Sequence, residues 1–581
     1  MKLRKNDVFT AEIVDITNLG FGVCKKDGQV VFVSGAVPGD VAEIKIIKVG
    51  SSYSVGRAEK YLSLSDRRVE DRCRSSLCRS CAYKCISYEY EKQLKEEAVR
   101  QIFKKAGLPE VEIAPLVGSP TEKEYRNKAQ YPVALDKNGE YVIGFYAPKS
   151  HRVTEAADCP LAPEIFSGII EALRGFFKEH ALSVYDEQSG EGLLRHIYLR
   201  RGEISGEVLL TLVINGSALP HGDRLVSLMT ESFPELVGIL LNVNTEDTNV
   251  VLGEEFITLY GRDYIFDTLG GVALKITAPS FYQVNRGAAE LLYAKAKELA
   301  KPTKNDLLLD LYCGAGSIGL SMADEAGEVI GIEIVESAVE CATFNAEINH
   351  INNASFYAGD ASDTKKILEP AERTRGEKIK PDIVIFDPPR GGTTEELIEH
   401  VSSLNPTRIV YISCNPATLA RDIVVFNKYG YFCDTVTPYD LFPMTGHVET
   451  VALLSRKIDV HKMNLNSSPF EMIKSGKKTI ELRLLDEKRQ IVKVGDIIIF
   501  TNNTTAEELS AQVVKLHIFD NFEQLYKALP LLKCGYIEEE LNDADPSDME
   551  EYYSKEQQRK YGVVGIELSI APIKSKQNGQ K

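Results

Sequence analysis

The sequence predicts an α/β fold built on a doubly wound, Rossmann-like sheet, with smaller β-rich modules attached to it. Three observations predict it. Between residues 275 and 456, short apolar strands alternate with helical stretches. Residues 1–60 hold alternating strands broken by turns, the pattern of a small β-barrel. Beyond a linker around Lys457-Ile458-Asp459, residues 463–570 begin afresh with strands of their own.

At 581 residues the chain exceeds a typical single domain several times over, and roughly three to five domains are expected. No apolar run approaches the roughly 18 residues of a membrane span, and Met1-Lys2-Leu3-Arg4-Lys5-Asn6-Asp7 is no signal peptide. The eleven cysteines are scattered apart from one tight cluster, which points to reduced thiols and to a metal or iron–sulfur centre. A cytoplasmic protein is expected, with no membrane and no obligate protein partner. The net charge of −16 argues against nucleic-acid binding, because phosphate contacts dominate such affinity. The charge is unevenly spread, however. Residues 66–130 carry fourteen Lys and Arg against eleven Asp and Glu, and much of the acid lies far away, between Glu538 and Glu551.

In chain order, residues 8–16, 18–23 and 29–33 read as strands, and Val37-Pro38-Gly39-Asp40 starts another pair ending near Lys60. Five strands in so short a stretch suggest a barrel of the OB type. Residues 66–105 hold the cysteine cluster, followed by a helix over 88–106. Residues 110–270 read as mixed α/β, with a strand at 208–214.

The doubly wound region is the most informative. Leu307-Leu308-Leu309-Asp310-Leu311 is an apolar strand, and Tyr312-Cys313-Gly314-Ala315-Gly316-Ser317 is a glycine-bearing turn into a helix. Strand 329–333 ends at Glu333, about 20 residues after the turn, the offset at which a carboxylate meets ribose hydroxyls. Further strands end at Gly359-Asp360, at Asp387-Pro388-Pro389-Arg390 and at Ser413-Cys414-Asn415-Pro416. Polar residues thus gather at the carboxyl edge, where open α/β sheets bind ligands. The pocket is read as one for S-adenosylmethionine, with a dinucleotide-binding oxidoreductase as the alternative. Cys414 lies beside it, a thiol placed for covalent catalysis. Glu449 opens the next strand and could serve as a base; His447 could as well, and chemistry alone does not choose.

The series Phe281-Tyr282-Gln283-Val284-Asn285, Asp310-Leu311-Tyr312-Cys313-Gly314-Ala315-Gly316, Asp387-Pro388-Pro389-Arg390-Gly391-Gly392, Ser413-Cys414-Asn415-Pro416 and His447-Val448-Glu449 resembles the RNA uracil-5-methyltransferase family in order and spacing. The resemblance implies that Cys414 is the nucleophile that adds to C6 of uridine and Glu449 the acceptor of the C5 proton. It also implies that Gln283, Tyr312, Glu333 and Asp387 contact S-adenosylmethionine. Ser317 and Asp360 stand where some members have asparagine.

Cys73, Cys78 and Cys81 follow a C-x4-C-x2-C spacing, and Cys159 precedes Pro160. By count, four thiolates suit zinc or an iron–sulfur cluster equally, and Cys85 permits a different local trio, Cys78-Cys81-Cys85. The spacing is not the C-x3-C-x2-C of radical S-adenosylmethionine enzymes. The branch of the family acting on ribosomal RNA carries a [4Fe–4S] cluster here, and its pattern resembles Cys73, Cys78, Cys81 and Cys159. That branch usually has two glycines where this chain has Arg79-Ser80.

The two ends resemble RNA-handling modules. Residues 1–60 are similar to the TRAM domain, with Phe21, Phe32 and Tyr53 as candidate stacking rings. Tyr125-Arg126-Asn127-Lys128 is a further candidate RNA contact. Residues 463–570 resemble an ASCH domain, a PUA-like β-barrel, which implies RNA binding by Lys477, Lys478, Glu481 and Arg483. The resulting expectation has four parts: a TRAM barrel (1–60), an iron–sulfur and central α+β RNA-binding domain (66–270), a methyltransferase domain (275–456) and an ASCH domain (463–570). The expected activity is C5 methylation of uridine in 23S ribosomal RNA. Transfer RNA as substrate, a non-catalytic assembly factor and amino-group methylation are the alternatives.

Overall fold

The computed structural model describes residues 3–570 except 72, 74–77, 79, 148–149, 377, 457–458 and 542. The chain forms two compact units, Met1–Ser455 and Arg456–Lys581. Among the described residues no helix is long and apolar enough to cross a membrane.

The first unit opens with a six-stranded sheet in the order Val8–Glu12, Val41–Val49, Tyr53–Ser63, Gln29–Ser34, Phe21–Lys26, Asp15–Ile16. Its edge strands are consecutive in the chain and separated only by Ile13 and Val14, so the sheet curls back on itself as a barrel. The stretch read as a single strand over 8–16 is therefore two. Ile13 is fully buried and trades backbone hydrogen bonds with Gly39 and Asp40 (2.8 and 2.9 Å), and the chain bends around it.

A seven-stranded sheet follows, in the order Val153–Glu155, Tyr141–Tyr146, Lys128–Leu135, Leu194–Arg201, Val208–Ile214, Leu236–Val243, Glu255–Gly261. Helices Glu164–Glu179 and Gly222–Ser232 pack on it through Phe166, Ile170, Leu225 and Met229. A hairpin, Tyr264–Leu269 with Val272–Thr277, then contributes Leu269, Leu274 and Ile276 to the core of the next sheet.

That sheet positions the site. Its strands are β1 (Leu307–Leu311), β2 (Glu328–Glu333), β3 (Ala354–Ala358), β4 (Ile383–Phe386), β5 (Arg408–Ser413), β6 (Tyr431–Tyr439) and β7 (Glu449–Arg456). They lie in the order β3-β2-β1-β4-β5-β7-β6, with Glu112–Ile113 added parallel to β6. Strands β1 to β5 run parallel, and β7 is antiparallel to β5. Alternate residues go to opposite faces: Leu308, Ile383, Ile385, Val410 and Ile412 join one core, and Leu309, Leu311, Val384, Phe386, Ile409 and Tyr411 the other. Both faces are covered, which is why the strands read as unbroken apolar runs. The order reverses between β1 and β4, which opens a crevice at their carboxyl ends.

The second unit holds a five-stranded sheet: Val460–Leu465, Ile497–Asn502, Glu508–Phe519, Val563–Ser569, Ile480–Leu484. It encloses its own core around Phe470, Ile498, Phe500 and Ile566.

Candidate active site

At the end of β1 the chain turns into helix Ser317–Met322 through Gly314 (φ +53°) and Gly316 (φ +80°), backbone angles that side chains resist. Tyr312 adopts φ +66° without that licence, a strain of about 1–3 kcal/mol. Its N–H donates to the Ile332 carbonyl at 3.0 Å, and its hydroxyl shares a hydrogen bond with Thr393 Oγ1 at 3.3 Å. The Gly314 N–H donates to Glu333 Oε2 at 3.0 Å, which fastens the carboxylate at the end of β2 to the glycine turn. Asp310 lies wholly buried beneath. Its Oδ2 accepts the Gly319 N–H at 2.9 Å, whereas Oδ1 has no partner among the described residues. Burial pushes the Asp310 carboxyl up to about 8.

Gln283 is placed through its backbone: its carbonyl accepts from Asn127 Nδ2 at 2.8 Å. Ser317 bonds the Tyr293 hydroxyl at 2.8 Å, and Asp360 caps the turn Ala361–Asp363 through the Ser362 N–H at 2.8 Å. Both have structural employment.

Strand register brings the candidate pair together. Ser413 on β5 faces Thr450 on β7, so Cys414 and Glu449 are the next residues outward on adjacent strands. The Thr450 hydroxyl donates to the Ser413 carbonyl at 3.0 Å and locks that register. Asn415 caps helix Pro416–Lys428 through the Ala417 N–H at 3.2 Å, and its Nδ2 donates to the Arg390 carbonyl at 3.1 Å. The turn after β5 is thereby tied to the turn after β4.

The charges converge accordingly. Burial, then the negative charges of Glu449 and Asp387, push the Cys414 thiol up to about 11, and Arg390 pulls it down. Burial, reinforced by Asp387, pushes Glu449 up to about 8, again opposed by Arg390. Glu449 is only 6% exposed. His447, by contrast, is exposed, and partial burial with the cations Arg390, Lys95 and Arg126 holds its pKa down. A thiol beside a buried carboxyl group is the arrangement that covalent addition followed by proton removal would require.

Cys73, Cys78, Cys81 and Cys159 line one cavity of about 280 Å³, together with Arg126, Lys128 and Phe145. Desolvation first, and then the other three thiols, push Cys81 up to about 12. Cys85 is elsewhere, packed with Ile16, Val37, Tyr83 and Ile86, so the trio Cys78-Cys81-Cys85 is not assembled. Among the described residues no three such side chains converge tightly enough for a single metal ion.

The RNA-contact candidates divide. Tyr53 is half exposed and pairs with Phe32 at a ring separation of 5.1 Å, while Phe21 is half-buried. Tyr125 and Asn127 turn inward, and the Tyr125 hydroxyl donates to the Pro443 carbonyl at 3.0 Å. In the second unit Glu481 is buried and holds Lys478 (3.1 Å) and Arg483 (2.9 Å); Lys477 is exposed.

Sequence reading missed the role of Arg390, although the residue stands in a quoted motif. It also missed a buried cluster of Glu91, Lys95 and Asp440. The i, i+4 spacing of Glu91 and Lys95 was visible, but nothing local marks Asp440 as their partner.

The family model for tRNA (uracil-5-)-methyltransferases matches residues 87–457, that of the TRAM domain 2–58, and that of the ASCH domain 463–572. An uncharacterised RNA methyltransferase of Oceanobacillus iheyensis is 38% identical over 458 residues, 78% of this chain and 98% of the relative. One from Staphylococcus aureus is 39% identical over 457 residues, 78% of this chain and 99% of the relative. The crystal structure of Pyrococcus abyssi tRNA (uracil-54, C5)-methyltransferase in complex with S-adenosyl-L-homocysteine is 29% identical, with a TM-score of 0.61. That likeness covers 77% of this chain and all of the other.

Proposed function

The chain belongs to the tRNA (uracil-5-)-methyltransferase family, and from that premise we propose that it methylates C5 of uridine in 23S ribosomal RNA, giving 5-methyluridine in the cytoplasm. The observation that carries the reading is the pairing of Cys414 with Glu449 across β5 and β7. The Cys414 thiolate adds to C6, which forms the S–C6 bond and an enolate that makes C5 nucleophilic. After C5 has gained its methyl group, Glu449 accepts the C5 proton. The electrons of that C–H bond rebuild the C5–C6 double bond as the S–C6 bond breaks and the thiolate returns.

S-adenosylmethionine, when bound, supplies the methyl group. Gln283, Tyr312, Glu333 and Asp387 would hold it, a reading supported by the Gly314–Glu333 fastening and by the orphaned oxygen of Asp310. Cys73, Cys78, Cys81 and Cys159 would hold a [4Fe–4S] cluster. Four thiols lining one shared cavity support that reading. Such a cluster would order this segment, since uracil methylation consumes no electron.

Transfer RNA is a second reading, favoured by the Pyrococcus abyssi enzyme's own substrate.

The test is to incubate the protein and S-adenosylmethionine with 5-fluorouridine-containing 23S fragments or transfer RNA. Fluorine cannot leave as a proton, so a covalent protein–RNA adduct should accumulate, with the ribosomal fragment alone, and Cys414→Ala should abolish it. An adduct with transfer RNA only would move the substrate. Methyl groups found on nitrogen or ribose would sink the mechanism.

A further inference from the structure

Glu449 is reached through residues 440–448, and that segment is held from several directions. Lys95 Nζ, 1% exposed, donates to Asp440 Oδ1 at 2.7 Å and to the Phe442 carbonyl at 3.2 Å, and it pairs with Glu91 Oε1 at 2.7 Å. Glu91 Oε1 also accepts the Met444 N–H at 2.7 Å. On the other side of the same residue, the Met444 carbonyl accepts the Tyr83 N–H at 2.9 Å, from the loop that carries Cys81. Tyr125 holds the Pro443 carbonyl. Gly446 abuts the barrel: a Cβ there would stand 2.4 Å from the Asn18 carbonyl oxygen.

Met444 is the centre of this arrangement. Its φ is +68°, a conformation a β-carbon disfavours and one that persists only where surroundings over-determine it. Its side chain is fully buried against Tyr125 and Leu161, with Cys81 and Cys159 packed on the same cluster. One residue therefore touches the wall of the cysteine cavity with its thioether and the Glu91–Lys95 helix with its backbone, and it lies one short loop before the base.

We infer that Met444 is a positioning residue for Glu449, and that the order of the cysteine segment reaches the reaction through it. The inference rests on the reading of Glu449 as the proton acceptor. Loosening Met444 should leave C6 addition and methyl transfer in place, because Cys414 is held separately by β5 and the Asn415 cap. It should slow the removal of the C5 proton.

The experiment uses the full-length protein and RNA tritiated at C5 of uridine. It measures tritium release and the methylated covalent adduct that survives denaturation. Met444→Ala should slow tritium release on the order of 10- to 100-fold, as misplacement by about an ångström does, and raise the ratio of adduct to free product. Met444→Leu, similar in volume, should restore both. Cys81→Ser should shift the ratio in the same direction. Tyr125→Phe, which removes only one hydroxyl, supplies a milder variant should Met444→Ala not fold, and it should shift the ratio less. Equal losses of adduct and release, with the ratio unchanged, would overturn the inference and leave Met444 a packing residue. Glu449→Gln serves as the control. If it accumulates no adduct, the base assignment itself fails and the inference falls with it; if it does and the Met444 and Tyr125 variants do not, only the coupling fails.

Discussion

The carboxyl edge of the catalytic sheet and the cysteine cavity are built in opposite ways. At the sheet edge strand pairing puts the candidate pair in place: Ser413 opposite Thr450 leaves Cys414, the residue after β5, beside Glu449, the first residue of β7. In the cavity Cys73, Cys78, Cys81 and Cys159 each lie outside any strand or helix, so no common element aligns them. A site on paired strands inherits its precision from backbone hydrogen bonds. A loop-built site needs something else to fix it, from packing such as that of Met444 to a bound cluster.

That contrast is broken most decisively at the cysteines. Anaerobically purified protein should be brown and contain about four irons per chain, as four thiolates around a cubane require. Cys159→Ser should lose iron and colour, whereas Cys85→Ser, which alters a thiol packed in a separate apolar cluster, should keep both. Colourless protein with stoichiometric zinc would overturn the cluster assignment. Loss of iron in Cys85→Ser would mean that the loop holds a different ligand set.

A smaller effect sharpens the other half. Arg390 is the cation that opposes Asp387 and Glu449 at the Cys414 thiol. Arg390→Gln should raise the thiol pKa further, by about 1 unit for the loss of one neighbouring opposite charge. The thiol is the proton-bearing form, so a higher pKa means less thiolate at neutral pH and a pH profile for adduct formation displaced toward alkali. Glu449→Gln removes a negative neighbour and should displace the same profile toward acid. Single-turnover adduct formation with 5-fluorouridine RNA, followed against pH, checks both. Shifts of the same sign in the two variants would contradict the electrostatic account.

The same division explains what was legible in the sequence. Strands Leu307–Leu311, Ala354–Ala358 and Val208–Ile214 are found where the apolar runs put them, and helix Tyr88–Lys105 ends one residue short of its predicted limit. These elements announce themselves because local hydrophobic period and turn chemistry agree. The split of the first barrel strand at Ile13 was not legible, since the bend depends on hydrogen bonds to Gly39 and Asp40, which are distant in sequence. Nor was the Glu91–Lys95–Asp440 cluster, whose members lie on a helix and a loop some 345 residues apart. The inward orientation of Tyr125 escaped for the same reason: its partner is the carbonyl of Pro443.

The smallest effect is expected from the largest deletion. The second unit folds around its own residues: Phe470, Ile473, Phe500 and Ile566 form one core, and Ile480, Phe522 and Leu525 form another. The Oceanobacillus iheyensis and Staphylococcus aureus relatives are matched over 98% and 99% of their lengths by 78% of this chain, so related proteins are complete without such a module. The charges that act on Cys414 and Glu449, those of Asp387 and Arg390, belong to the first unit. Removing residues 463–581 should therefore change turnover on a short uridine-containing RNA by less than about twofold, below the tenfold that 1.36 kcal/mol of barrier represents. Any loss should instead surface as weaker binding of long, structured RNA. Steady-state methylation of both substrates by the truncated chain, with its fold verified by circular dichroism, makes the comparison. Abolished turnover on the short RNA by a folded truncation would show that the ASCH module belongs to the catalytic machinery after all.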